Sequence, residues 1–230
     1  MKIAIAGLGR MGMQLARKLA EGGHEVVAHN RHKEPVDEAV TYGAKAAYER
    51  LDVVTAFDGK PIVLWIMVPA EIIDAQLDEW LEILPKGSIV IDGGNSDFRG
   101  DTLRAKRAAD KGCMLLDIGT SGGVWGHQNG FSMMIGGDQK AFATVEPALK
   151  TLTAPEGAYH LFGPNGAGHY VKMVHNAIEY GMMESLAEGY RMLKVGPYKN
   201  LNLADAGQVW QQSSVVTSWL NELAQEALSE

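Results

Sequence analysis

Short apolar runs alternate with stretches of helical spacing along most of the chain. Lys2–Ala6 (KIAIA) and Glu25–His29 (EVVAH) read as buried strands, and Met13–Ala20 between them carries helical spacing. A less regular region follows through Leu51. Ile62–Val68 (IVLWIMV) is the most apolar run and reads as a central strand, stopped by Pro69. Glu71–Leu84 is periodic as a helix and ends at Pro85 and Gly87. Ser88–Asp92, Cys113–Asp117 and Phe131–Ile135 are further strands, Arg99–Lys111 an exposed helix and Lys140–Leu149 a helix. This alternation predicts a Rossmann-like α/β fold, a doubly wound and mostly parallel sheet with both faces covered. From Gly163 the pattern changes. Gly166–Lys194 reads as one long helix and Leu203–Leu228 as further helix. The expected domains are therefore 1–163, the α/β part, and 164–230, a partial all-α domain.

Two patterns carry chemistry. Gly7, Gly9 and Gly12 lie in GLGRMG between the first strand and its helix, the context that gives G-x-G-x-x-G meaning. Gly7 permits the turn, Gly9 lets backbone approach a pyrophosphate, and Gly12 lets helix and strand pack closely. Lys172, His175, Asn176 and Glu179 fall at i, i+3, i+4 and i+7, so an amine, an imidazole, an amide and a carboxylate share one helical face. Val171, Met173, Val174 and Ile178 are expected to pack on the opposite side. A solvated polar face is the duller reading, but such a face would usually be lysines and glutamates in bulk. The mixture looks like a proton-handling site.

Charge and composition narrow the function. A net charge of −7 gives no basic surface for nucleic acid. The single cysteine, Cys113, precludes a disulfide within the chain and reads as a buried hydrophobe, which fits a reducing, cytoplasmic setting. No signal-peptide pattern opens the chain, and no apolar run approaches the roughly 20 residues that span a bilayer.

The segments GLGRMG, GGNSDFRGDT, SGG and GAGHYVKMVHNAIEYG together resemble the 6-phosphogluconate dehydrogenases of the β-hydroxyacid dehydrogenase superfamily. The resemblance spans most of residues 1–194. It implies that Lys172 is general base on the substrate's 3-hydroxyl, that a hydride passes from C3 to a nicotinamide, and that CO2 leaves the resulting 3-keto acid. Glu179 then protonates the enediol, giving ribulose 5-phosphate, in the pentose phosphate pathway and gluconate utilisation. No metal is implied, because a carbonyl β to a carboxylate is itself the electron sink. Asn95, Ser121, Gly122, Gly123, His175, Asn176 and Tyr180 are implied as substrate contacts, with Asn176 also catalytic. Gly7, Leu8, Gly9, Arg10, Met11, Gly12, Asn30, Arg31, His32, Val68, Pro69, Ala70 and Asn95 are implied as cofactor contacts.

The second strand ends in His29-Asn30-Arg31-His32-Lys33, without the carboxylate that holds the ribose of NAD. Arg31 is available to a 2′-phosphate, so NADP is the expected cofactor, with NAD as the alternative. Two departures from the family stand out. Ala177 replaces a common glycine, and the sequence stops at Glu230, before the family's phosphate-gripping residues. The expected ligand is a sugar acid phosphate, and the expected assembly a homodimer or larger homo-oligomer. The rival functions are a related dehydrogenase of a non-phosphorylated acid, and a nucleotide-binding fragment without turnover.

Overall fold

A computed structural model describes residues 1–229. The elements run β1 (Lys2–Ala6), α1 (Arg10–Glu21), β2 (Glu25–His29), α2 (Lys33–Thr41), β3 (Lys45–Ala47), α3 (Arg50–Ala56) and β4 (Val63–Ile66). They continue with α4 (Ile73–Leu81), β5 (Ile89–Asp92), α5 (Asp101–Asp110), β6 (Met114–Ser121), α6 (Gly126–Asn129), β7 (Ser132–Gly137), α7 (Gln139–Thr153) and β8 (Tyr159–Gly163). Three helices complete the described chain: α8 (Ala167–Val195), α9 (Leu203–Gln211) and α10 (Trp219–Ser229).

The strands form one sheet in the order β3-β2-β1-β4-β5-β6-β7-β8. All neighbours are parallel except β6 and β7. Alternate residues of β1, β2, β4 and β5 feed opposite cores. Ile3, Ile5, Val26, Ala28, Trp65 and Ile91 join one, and Ala4, Ala6, Val27, Leu64, Ile66 and Val90 the other. Burial on both faces is why these strands read as continuous apolar runs. The strand order reverses between β1 and β4, and ligands bind beyond the carboxyl ends of strands at such a switch point.

Two compact units divide the chain at Met1–Lys172 and Met173–Glu230, so the boundary falls inside α8. Among the described residues no helix is long and apolar enough to cross a membrane. Cys113 is buried and carries a free thiol.

Several elements depart from the sequence expectation. The less regular region contains α2, β3 and the start of α3, and β3 is only 3 residues long, too short for a period to declare itself. The tail is not one helix, because α9 stops at Gln211 and α10 starts at Trp219. Between them Ser213 takes φ 59°, and the Thr217 hydroxyl donates to the Ser214 carbonyl at 2.8 Å. β-branched residues and hydroxyls that compete for backbone groups both disfavour helix there. On α8, Met173, Val174 and Ile178 do not pack as expected; they are 46%, 40% and 59% exposed. Nor is Arg99–Lys111 simply an exposed helix, since α5 buries Asp101, Arg104 and Ala108.

Candidate active site

The glycine turn follows β1 at the switch point. Gly7 adopts φ +99° and donates its N–H to the His29 carbonyl at 2.9 Å. A Cβ at Gly12 would stand 1.9 Å from the Gly7 carbonyl oxygen, so that glycine is required by the packing of helix on turn. A Cβ at Gly9 would meet nothing within 4 Å. The protein itself makes no demand for glycine at that position; a ligand lying against its backbone would. Arg10 and Met11 open α1, and no side chain caps that helix. Bare N–H groups at a helix amino end, beside an open glycine, suit a pyrophosphate.

Gly9, Arg10, Met11 and Gly12 line a cavity of about 310 Å³. Val68 and Pro69 beyond β4, and Asn95 beyond β5, line it too. So does Lys172, whose residue is only 9% exposed. The Lys172 stem lies on Gly119 of β6, where a Cβ would come 2.2 Å from its own Cβ. A second cavity of about 460 Å³ is lined by Gly7, Asn30 and Arg31. Leu8 lines a third, of about 500 Å³. Its N–H donates to Asn30 Oδ1 at 3.0 Å, so Asn30 also ties the second strand to the glycine turn. His32 is exposed at the start of α2 and lines none of these three cavities, nor does Ala70.

Ser121 ends β6, with Gly122 and Gly123 following at φ 131° and 52°. Those angles give both glycines a backbone reason for being there, independent of any substrate. On the second unit, His175 Nδ1 lies 3.2 Å from Asn176 Oδ1 and 3.6 Å from Glu179 Oε2. Tyr180 is 71% exposed.

The sequence reading missed two groups. Tyr48, Glu49, Arg50 and Gln76 line the 460 Å³ cavity with Arg31. They come from the bend before α3, from the first residue of α3 and from α4, so no local pattern links them to the second strand. Glu49 brings an acidic residue to the lining of a cavity expected to favour a phosphate, its side chain engaged in the capping box of α3. The other group is buried: Asp92, Asp101, Arg104, Asp117 and His169. Burial pushes the Asp92 and Asp117 carboxyls above the usual carboxylate range. Burial alone would lower the His169 ring; its bond to Asp101 and the charges of Asp92, Asp101 and Asp117 outweigh that and hold it above the ordinary value. Charged residues in α5 had read as solvent-facing, and their partners are far away in sequence.

The strand order and the glycine cradle define a dinucleotide-binding fold. Residues 2–163 match the model for the NAD binding domain of 6-phosphogluconate dehydrogenase, and residues 168–230 match its C-terminal domain. The chain belongs to the 6-phosphogluconate dehydrogenase family. A relative from Haloferax volcanii, an NAD(+)-dependent, decarboxylating 6-phosphogluconate dehydrogenase, is 40% identical over 232 residues, covering 100% of this chain and 76% of that protein. The decarboxylating enzyme of Haemophilus ducreyi is 39% identical over 204 residues, or 84% of this chain and 42% of its own. The Plasmodium falciparum 6-phosphogluconate dehydrogenase, solved apo, with NADP+ and with 6-phosphogluconate, superposes with a TM-score of 0.90 at 28% identity, over 100% of this chain and 51% of that one. Mycobacterium tuberculosis 3-hydroxyisobutyrate dehydrogenase shares the fold, with a TM-score of 0.77 at 21% identity over 95% of this chain and 72% of that one.

Proposed function

We propose that the chain oxidatively decarboxylates 6-phosphogluconate to ribulose 5-phosphate and CO2, with NADP as acceptor. The observation that carries this reading is Lys172: a buried lysine lining the same cavity as the glycine turn, Val68, Pro69 and Asn95. The relatives that cover the whole chain or most of it and are named for this reaction support the substrate.

In the proposed reaction the Lys172 amine accepts the proton of the 3-hydroxyl as the C3–H bond breaks. The bound nicotinamide supplies the two-electron acceptor for that hydride. The C3 carbonyl then withdraws the electron pair of the C1–C2 bond, and CO2 departs. Glu179, two helical turns beyond Lys172 on α8, gives a proton to the carbon that lost CO2. Asn95, Asn176 and His175 orient hydroxyls, and the backbone of Ser121–Gly123 receives the carboxylate; fixed geometry of this kind replaces the entropy cost of encounter. Tyr180 contributes a phenol at the substrate's far end. For the cofactor, Leu8–Gly12 hold the pyrophosphate, Asn30, Arg31 and His32 the adenosine ribose, and Val68–Ala70 the nicotinamide side. Residues 1–163 supply the cofactor domain and 164–230 a helical substrate and dimerisation domain.

The test is dinucleotide reduction with 6-phosphogluconate, read in parallel with CO2 release for NADP and for NAD. Lys172→Met is expected to bind dinucleotide normally and to lose about 10²–10⁴-fold in kcat, the usual worth of a general base. Unchanged kcat removes Lys172 from the role. Glu179→Gln keeps a hydrogen bond but gives up no proton at neutral pH. It is expected to leave a first-turnover burst of reduced dinucleotide followed by a slow phase; equal loss in both phases rejects it as the late acid.

A further inference from the structure

We infer that His169 is a positioning residue for Lys172: held among Asp92, Asp101 and Asp117, its ring ties the first turn of α8 to Asp101 of α5 and sets the charge that the Lys172 amine feels. The inference rests on Lys172 acting as the base.

The geometry begins with two carboxylates on neighbouring strands. Asp92 of β5 and Asp117 of β6 are register partners. Asp92 Oδ1 accepts the Gly94 N–H at 3.1 Å and so shapes the turn that leads to Asn95. Asp117, on the same face of the sheet, caps the amino end of α8. Its Oδ1 accepts the Gly166 N–H at 2.8 Å and its Oδ2 the His169 N–H at 3.0 Å. These are donors that a helix amino end leaves without intrahelical partners, here satisfied by a strand residue distant in sequence.

Glycines let the helix come close enough for this. A Cβ at Gly168 would stand 2.5 Å from the Asp117 carbonyl oxygen, and one at Gly136 would stand 2.6 Å from both Asp117 carboxylate oxygens. The His169 side chain closes the arrangement. Its Nδ1 lies 2.7 Å from Asp101 Oδ2, while Asp101 Oδ1 accepts from Arg104 at 2.9 Å. Asp92, Asp101 and His169 each bring a polar atom within 4.8 Å of the other two. His169 Nε2 and Asp92 Oδ2 are both buried without a hydrogen-bond partner.

A neutral ring there would leave three buried carboxylates facing a single guanidinium. A doubly protonated ring donates Nδ1–H to Asp101 and presents a positive Nε2–H to the low-dielectric interior that Asp92 shares. The charged groups that face it are Asp92 from β5, Asp101 and Arg104 from α5, and Asp117 from β6. Lys172 follows one turn later on the same helix. A cation one turn away disfavours a second cation, which keeps the amine closer to the neutral form a base requires.

Two substrate-free measurements test this. Nitrogen-15 NMR of the wild-type ring at pH 7 is expected to find both nitrogens of His169 protonated; a neutral ring overturns the inference. Asp101→Asn keeps an oxygen for the Nδ1 bond but removes the charge, and the ring is then expected to titrate nearer the ordinary histidine value. The Lys172 amine is followed by carbon-13 NMR in wild type and in His169→Gln. Loss of the cation is expected to raise the pH at which Lys172 titrates. The acid limb of kcat/KM moves with it, while KM for the dinucleotide stays the same. A folded His169→Gln protein whose Lys172 titrates as in wild type overturns the inference. If that variant does not fold, the wild-type ring and Asp101→Asn decide alone. Wild-type protein that fails to turn over 6-phosphogluconate counts against the proposed function, whereas both NMR readouts remain decisive for His169.

Discussion

An alanine methyl at Gly12 would collide with the Gly7 carbonyl at 1.9 Å, yet at Gly9 it would meet nothing within 4 Å. One glycine motif therefore answers to different constraints at different positions, and substitutions separate them. Gly12→Ala is expected to lower stability by about 1–3 kcal/mol, the usual cost of overpacking, read as a drop in the urea midpoint. Gly9→Ala is expected to keep that midpoint and to weaken dinucleotide binding by about tenfold or more, since ~1.4 kcal/mol of lost contact suffices. If Gly9→Ala binds as wild type, the open side of Gly9 is not where the pyrophosphate lies. Arg31 poses a similar question on the 460 Å³ cavity, which also holds Arg50 and Glu49. Arg50 is already engaged by Gln76 and Glu79 and lies over the Trp80 ring. Arg31 is thus the guanidinium expected to meet a 2′-phosphate. Arg31→Ala should weaken NADP by roughly ten- to hundredfold, from ~1.5–3 kcal/mol for a charged hydrogen bond, and should leave NAD nearly unchanged. Equal losses in a titration of both dinucleotides would contradict that role. The motif and Arg31 were legible because each sits in one short segment; Glu49 and Arg50 were not, because only the fold brings them to the same cavity.

Elements whose apolar pattern is local were readable. β1 and β2 occupy Lys2–Ala6 and Glu25–His29 as the runs suggested, and α8 spans Ala167–Val195 against an expected Gly166–Lys194. What holds the start of α8 was not readable. Its cap comes from Asp117, a residue whose sequence context says only strand, and its first-turn histidine is fixed by Asp101 of a helix that looked solvent-exposed. This buried cluster gives the fold a pH dependence whose sign follows from the shifts. Asp92, Asp117 and His169 all bind protons more tightly folded than unfolded. The stability each contributes is fully present below its unfolded value and is lost as pH rises through its folded value. For His169 the window opens at the ordinary 6.5 and extends upward. The urea midpoint of wild type is therefore expected to fall as pH rises from 6.5. The decline should be shallower in His169→Gln, which has no ring proton to lose. Identical slopes in the two proteins would mean that the ring does not titrate with folding.

On the scale of the whole molecule, the apolar surface of the second unit is larger than its packing accounts for. On α8, Ile178 is 59% exposed, Tyr180 71%, Met192 70% and Val195 67%. On and near α9 and α10, Val209 is 69% exposed, Val216 49% and Trp219 45%. Within the unit, α9 and α10 are joined by a polar lock. Asn221, fully buried, donates to the Gly207 carbonyl at 3.1 Å and to Gln211 Oε1 at 2.9 Å, and accepts from the Tyr190 hydroxyl at 2.8 Å. The helices are thus already fixed to one another at the inner face, and the apolar residues that remain outward are not waiting to fold inward. Isolated exposed hydrophobes are ordinary, but several along one helix are expected to be covered by another protein. A second copy of this chain is the economical partner, because self-complementary patches generate closed two-fold dimers without any further component. The expected mass in solution is therefore twice the 24.9 kDa of one chain or a higher multiple. Met182 lies one turn beyond Ile178 on α8 and is 42% exposed, and Ile178→Glu with Met182→Glu should shift the population toward monomer, since two carboxylates would then be desolvated at the interface. Light scattering at micromolar concentration checks both statements, and a monodisperse wild-type monomer would refute them.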